Sequence, residues 1–557
     1  MKKRAAQPVL FALALGAIIF GLRRARQRFE LFCAKHPSLA GHSRVARRLA
    51  QLFPFYEFDE GQFFSSDGAP NVIAACRRDG FMRLAKLYRE CFAETRRLTK
   101  ETREGMSDLQ FTDAYRVPFQ YSRMVQKHLC AGSYLKSSRG VTLTDLDGNK
   151  FFDLAGSYGV NLFGHDFYKS CMEEGYTRVR ELGAVLGPYH PVVANNVSRL
   201  KKISGLDEVS FHMSGTEAVM QAVRLARFHT RRTHLVRFCG AYHGWWGDVQ
   251  PGIGNPIPAH ETYTLSEMSE ATLRVLQTRN DIACVLVNPA QALHPNMSAP
   301  VDSSLIDSGR RAHFDKAAYT AWLRRLREVC AERGIVLIFD EVFLGFRLAR
   351  GGAQEYFGVQ ADLVTYGKTV GGGLPIGVVC GRRPLTKRYR EDRPADICFA
   401  RGTFNSHPVV MGAMNEFLRR LDSSEILRLY ENLDEVWNDR AQQLNRRLAN
   451  EELPVRVANI SSVWTVCYTN PSRYNWMLQY YLRAHGLALS WIGTGRIIFS
   501  LNYTEQDFGD VAERFVAAAK EMRAEGWWWT DNGHSFSIKR RILRETVNRL
   551  FAGGLSS

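Results

Sequence analysis

Two segments of the chain carry residues whose type and setting suit covalent chemistry on a bound cofactor. In VLIFDEV, Asp340 ends an apolar run of strand-like composition. In ADLVTYGKTVGGGLPIG, Lys368 follows a second such run and precedes Gly371-Gly372-Gly373. Open α/β sheets bind ligands at the carboxyl ends of their strands. A carboxylate there can pair with a protonated ring nitrogen, as the pyridinium of pyridoxal-5′-phosphate (PLP) requires, and a lysine amine can hold that cofactor as a Schiff base. Neighbouring glycines permit close backbone approach. Each feature also has an ordinary alternative. A glycine-flanked lysine is usually a surface residue, and a strand ending in Asp-Glu occurs in enzymes that bind magnesium for phosphate transfer.

Two further segments fit the same chemistry. Ser214-Gly215-Thr216-Glu217 follows the apolar run VSFHM and opens the helical stretch AVMQAVRLARF. Small residues at a helix start present N–H groups and hydroxyls to a phosphate. The same residues also make an ordinary cap, with Glu217 in the first turn. No G-x-x-x-x-G-K-[ST] is present, which excludes the nucleotide-binding P-loop. Tyr242-His243-Gly244 follows HLVRF. Tyr242 could stack on a flat ring, and His243 could be either a core histidine or a polar group of the site.

The elements that must position these residues are strands and helices in alternation. VSFHM (209–213), HLVRF (234–238), ACVLVN (283–288), IVLIFD (335–340) and LVTYG (363–367) are short apolar runs separated by helix-length segments. That pattern predicts βαβ units and a mainly parallel sheet. Eleven scattered cysteines, without a C-x-x-C pair or a Cys/His cluster at zinc spacing, point to a reducing compartment and to no metal site.

The order of the motifs resembles the class III, fold-type I PLP aminotransferases, and within them the glutamate-1-semialdehyde aminomutases. The resemblance runs through DLDGNKFFDLAGSYGVNLFGH (145–165), FHMSGTEAVMQAVRLAR (211–227), FCGAYHG (238–244), residues 336–377, GTFNSHP (402–408) and SLNYTEQDF (500–508). It covers about residues 126–525. It implies an α/β fold with a large, mainly parallel-sheet domain (191–383) and a smaller α+β domain (126–190 with 384–525). It implies PLP held by Lys368 as an internal aldimine, with Asp340 on the pyridine nitrogen, Gly215 and Thr216 on the phosphate beside Ser214, and Tyr242 on the ring with His243 next to it. Gln291 would lie near the phenolic oxygen. Thr403 would reach the phosphate of a neighbouring subunit, making the active unit a homodimer. Ser157 and Tyr158 would line the substrate side, with Arg123 the nearest candidate to hold a substrate carboxylate. Two departures bear on the substrate: Asn288-Pro289 stands where the family has Glu-Pro, and Ser406-His407-Pro408 where it has Gly-Asn-Pro. The implied reaction is amino-group transfer or aminomutation. A carbon–carbon bond-forming PLP enzyme and a catalytically inactive membrane scaffold are the alternatives.

The two ends of the chain lie outside the resemblance. The net charge is +18 over 557 residues, and residues 1–50 hold eleven Lys and Arg against Glu30. Such a surface suits anionic lipid or nucleic acid. The uncharged run PVLFALALGAIIFGL between Lys2-Lys3-Arg4 and Arg23-Arg24 turns the expectation to lipid and away from nucleic acid. Residues 1–30, through 5–22, are therefore expected to anchor the protein in a membrane, spanning it or lying flat in its interface, with the catalytic domain in the cytosol. That location suggests a lipid-like or carrier-bound carbonyl as acceptor beside a small-molecule amine donor. Residues 31–125 read as a helical extension, with 72–104 a solvated amphipathic helix and 52–64 packing on the main domain or touching lipid. The tail, 526–557, combines Trp527-Trp528-Trp529 with a basic amphipathic helix. It suits a membrane interface and equally a helix docked on its own domain.

Overall fold

The apolar runs pair edge to edge into one seven-stranded sheet. Its strands are β1 (Glu208–His212), β2 (His234–Phe238), β3 (Thr262–Leu265), β4 (Ile282–Val287), β5 (Val336–Asp340), β6 (Leu363–Gly367) and β7 (Gly377–Gly381). They lie in the order β1-β7-β6-β5-β4-β2-β3. Only β7 runs against its neighbours, antiparallel to both β6 and β1. The computed structural model describes residues 6–37, 41–115, 117–130, 132–250, 260–296, 312–489, 496–530 and 535–553.

Every residue of β4, β5 and β6 is buried. Helices cover both faces of a mainly parallel sheet, so its strands read as unbroken apolar runs rather than alternations. Val336 and Ile338 face one cluster and Leu337 and Phe339 another, as the two-residue period of a strand requires. The first cluster is closed by helix Gly215–Thr230 through Ala218, Val219, Ala222, Val223 and Ala226. The second takes in Tyr319, Trp322, Leu323 and Leu326 of helix Lys316–Arg333, which starts where Asp315 accepts from the Ala318 N–H at 2.9 Å.

Two smaller sheets complete the fold. One joins Leu135–Arg139, Thr142–Asp145 and Lys150–Asp153 to Leu487–Ala488, and the other pairs Val455–Ile460, Val463–Tyr468 and Arg496–Ile498.

The structure corrects the reading of the N-terminal end and decides between the two readings of the tail. Residues 1–5 of the expected anchor lie outside the described residues. From Ala6 a single helix runs to Ala34, straight through Arg23, Arg24, Arg26 and Arg28. Its C-terminal part docks on helix Glu270–Thr278: Gln27 Nε2 donates to the Thr278 carbonyl at 3.4 Å and Thr278 Oγ1 donates to Glu30 at 3.1 Å. Among the described residues no helix is long and apolar enough to cross a membrane, and this overturns the anchored localisation. For the tail, the docked reading is what the structure shows. Trp527 and Trp528 are buried, donating from Nε1 to Tyr481 Oη at 2.6 Å and to Asn475 Oδ1 at 2.7 Å. Helix Ser535–Gly553 is tied down by Glu545, which accepts both Arg473 terminal nitrogens at 2.7 and 3.0 Å. The helix is docked on its own domain.

The 52–64 segment packs inward, with Tyr56, Phe63 and Phe64 buried. The amphipathic stretch after it forms helices Asn71–Cys91 and Ala93–Arg103. Within the first, Arg77 is fully buried, paired with Asp67 and donating to the Phe64 and Gly526 carbonyls. The N-terminal extension and the tail thus share one core.

Candidate active site

The carboxyl ends of β1, β2, β4, β5 and β6 converge on one cavity of about 400 Å³, within the range of small-molecule sites. Ser214, Gly215 and Thr216 follow β1. Tyr242 and His243 follow β2, and Asn288 follows β4. Asp340 is the last residue of β5 and Lys368 the first after β6; all of these line the cavity.

Lys368 sits on the cavity wall in the left-handed region, at φ +50. A non-glycine residue held there stores strain, which commonly marks functional positions. Its Nζ lies 4.7 Å from the centre of the Phe343 ring. Burial lowers its pKa from 10.5 to about 8; Asp340 opposes the shift, while Arg496 and Arg347 add to it. Asp340 is buried, and its Oδ2 accepts from His243 Nδ1 at 2.8 Å. Its Oδ1 accepts from the Val342 N–H at 3.2 Å. His243 is buried too, and its burial pushes its own pKa down against the pull of Asp340. Among the described residues, the carboxylate is therefore fixed by a neutral donor and faces the cavity without a cationic hydrogen-bond partner.

Ser214 caps helix Gly215–Thr230, its Oγ accepting from the Glu217 N–H at 3.3 Å, while Glu217 Oε2 accepts from the Met213 N–H at 2.9 Å. The cap expected from sequence is present. It leaves the N–H groups of Gly215 and Thr216 ahead of the first intrahelical bond, where an anion is favoured. A Cβ on Gly215 would stand 2.6 Å from Val342 Cγ1, so only glycine lets this helix start approach the strand end so closely. Tyr242 is 62 % exposed at the mouth, its carbonyl accepting from Asn288 Nδ2 at 2.9 Å. A buried carboxylate, free helix N–H groups and an amine surround one cavity, and this donor set fits a cofactor with a ring nitrogen, a phosphate and an aldehyde.

The remaining expected residues lie around this centre at varying distance. Ser157 and Tyr158 are exposed in a left-handed turn, at φ +46 and +57. Gly159 beside them, at φ +98, packs so closely that a Cβ would be 2.5 Å from Phe343 and 3.6 Å from Lys368 Cδ. Gln291 is buried behind the wall, donating to the Cys239 carbonyl at 3.3 Å. Thr403 is exposed and does not line the cavity of its own chain. Arg123 stands apart: 78 % exposed, it pairs with Glu57 at 3.3 Å on the surface.

The matching family model is aminotransferase class-III, over residues 125–518. The chain belongs to the class-III aminotransferases. It is a PLP-dependent enzyme of the transaminase and aminomutase type. It is 32 % identical over 334 residues to a glutamate-1-semialdehyde 2,1-aminomutase of Alkaliphilus oremlandii, covering 57 % of this chain and 73 % of that one. The aminomutase of Nitratidesulfovibrio vulgaris strain DP4 is 33 % identical over 341 residues, covering 60 % and 77 %. Among solved structures, a transaminase with PLP bound superposes with TM-score 0.59 at 27 % identity, over 71 % of this chain and 92 % of its own. The aminomutase of Pseudomonas aeruginosa PAO1 shares the fold, with TM-score 0.64 at 18 % identity, over 80 % and 99 %.

Two residues at or near this cavity stand outside the set expected from sequence. Phe343 lines the cavity beside Lys368. Arg496, half-buried and outside the cavity lining, lies over the same ring at 5.8 Å; desolvation lowers its pKa to about 10, and it has no acidic partner among the described residues. Its one signal was an arginine opening the apolar run IIF in GTGRIIFSLNY.

Proposed function

We propose that the protein transfers amino groups between an amino acid and a carbonyl acceptor, with Lys368 as the cofactor-holding and proton-carrying amine. The observation that carries this is the placement of Lys368, Asp340 and the Gly215–Thr216 helix start around one cavity. PLP, when bound, supplies an electron sink for the charge left on the substrate carbon. Asp340, locked by His243, would hold the ring nitrogen; Gly215 and Thr216 would take the phosphate and Tyr242 would cover the ring. Lys368 Nζ would take the proton from the donor's carbon and be the group that gives it back.

With a pKa of about 8, roughly a tenth of Lys368 is a free amine at pH 7. Arg496 replaces Arg123 as the group that receives a substrate carboxylate: it lies over the same Phe343 ring as Lys368, and a half-buried guanidinium with no acidic partner among the described residues favours an incoming anion. An aminomutase would use the same residues on one molecule. The lipid-like acceptor had only the membrane location behind it and falls with that location.

The large (191–383) and small (126–190 with 384–525) domains belong to the same reading, supported by the seven-stranded sheet lying wholly within 208–381. So does a homodimer in which Thr403 serves the neighbouring subunit, supported by the exposure of Phe399 and Phe404 around it. The test is chromatographic detection of product amino acids from PLP-loaded protein, a panel of amino acids and a 2-oxo acid. Lys368→Ala is expected to lower the rate by about 10²–10⁴-fold; an unchanged rate would overturn the proposal.

A further inference from the structure

We propose that His294 is a positioning residue that presents Arg496, with its charge uncancelled, to the carboxylate of the amino-acid substrate. The inference rests on the amino-transfer function proposed above and deepens it. His294 ends the turn after β4, and Arg496 opens a strand of the three-stranded sheet that pairs with Thr465. The two meet 202 positions apart in sequence, where Arg496 Nη2 donates to His294 Nε2 at 3.3 Å. A guanidinium has only donors, so Nε2 is the accepting nitrogen and the ring proton sits on Nδ1.

His294 is 4 % exposed and Nδ1 has no partner among the described residues. Burial, reinforced by Arg496, holds its pKa down at about 3, so the ring is neutral throughout the working range. Among the described residues Arg496 is thus held by two neutral contacts, the imidazole and the face of Phe343. Its Nε has no partner among the described residues.

The choice of a neutral acceptor decides what Arg496 can do. A buried guanidinium held by Asp or Glu would already be paired, and a substrate carboxylate would have to compete with its partner. A neutral acceptor fixes the orientation of the planar group yet leaves its full charge and most of its five donors for a ligand. The substrate class is therefore an amino acid whose carboxylate reaches Arg496, rather than a simple amine.

The experiment compares wild type, His294→Leu and His294→Gln with two donors: the amino acid giving the highest rate from a panel, and the amine left by its decarboxylation. His294→Leu should raise KM for the amino acid about tenfold or more with kcat within about twofold, the signature of lost uniform binding. It should leave the amine unaffected, and His294→Gln, which keeps an acceptor, should restore KM. Should the leucine variant not fold, His294→Ala is expected to show the same KM rise. An unchanged KM, equal losses with both donors, or failure of the glutamine variant to rescue would overturn the proposal. Borohydride trapping of PLP separates the causes. Trapping on Lys368 with an unchanged KM sinks only the role of His294, whereas no trapping in wild type sinks the proposed function and this inference with it.

Discussion

A lysine amine with a pKa of 10.5 is protonated at neutral pH and has no lone pair to give. At Lys368 burial brings the value to about 8, and the charges of Arg496 and Arg347 push the same way against Asp340. Below pH 8 Nζ takes up a proton and stops acting as a nucleophile; above it the free amine predominates. Covalent capture of PLP by PLP-stripped protein should therefore rise with pH around a midpoint near 8, measured by stopped borohydride reduction. A midpoint near 10.5 would mean that Lys368 is exposed and ordinary. Asp340 and Lys368 were legible in sequence because each ends a buried apolar run. Arg496 was not, because its significance lies in contacts with His294 and Phe343 made only after two sheets come together.

Among the elements, the turn Gly156–Gly159 sets how much room Lys368 has. Ser157, Tyr158 and Gly159 all adopt positive φ, and the turn lies against Phe343. A side chain at Gly159 would be strained at φ +98 and would press Phe343 towards the lysine. Gly159→Ala is expected to destabilise the protein by about 1–3 kcal/mol and to reduce PLP capture. Thermal melting and capture yield measure both, and an unchanged melt would contradict the packing described. Five of the seven strands were readable as apolar runs, with β4, β5 and β6 buried at every position, whereas β3 and β7 were not. The left-handed turn was not, because Ser157 and Tyr158 carry no compositional signal for positive φ.

Across the whole molecule the ends behave differently from their composition. Basic residues flanking an apolar run read as an anchor, yet the helix continues through the arginines and docks on Glu270–Thr278. Adjacent tryptophans suited an interface with lipid, yet Trp527 and Trp528 fill the core shared by the extension and the tail. Amphipathicity reveals that a face is covered, not by what. What remains is a class-III aminotransferase core, residues 125–518, clasped by its own termini. Its central claim is that one lysine among all those in the chain holds the cofactor. Borohydride reduction of the PLP-loaded protein, followed by peptide mass mapping, tests this directly. The account predicts a single phosphopyridoxyl label on the peptide containing Lys368, lost in Lys368→Ala; a label on another lysine, or none, would contradict it.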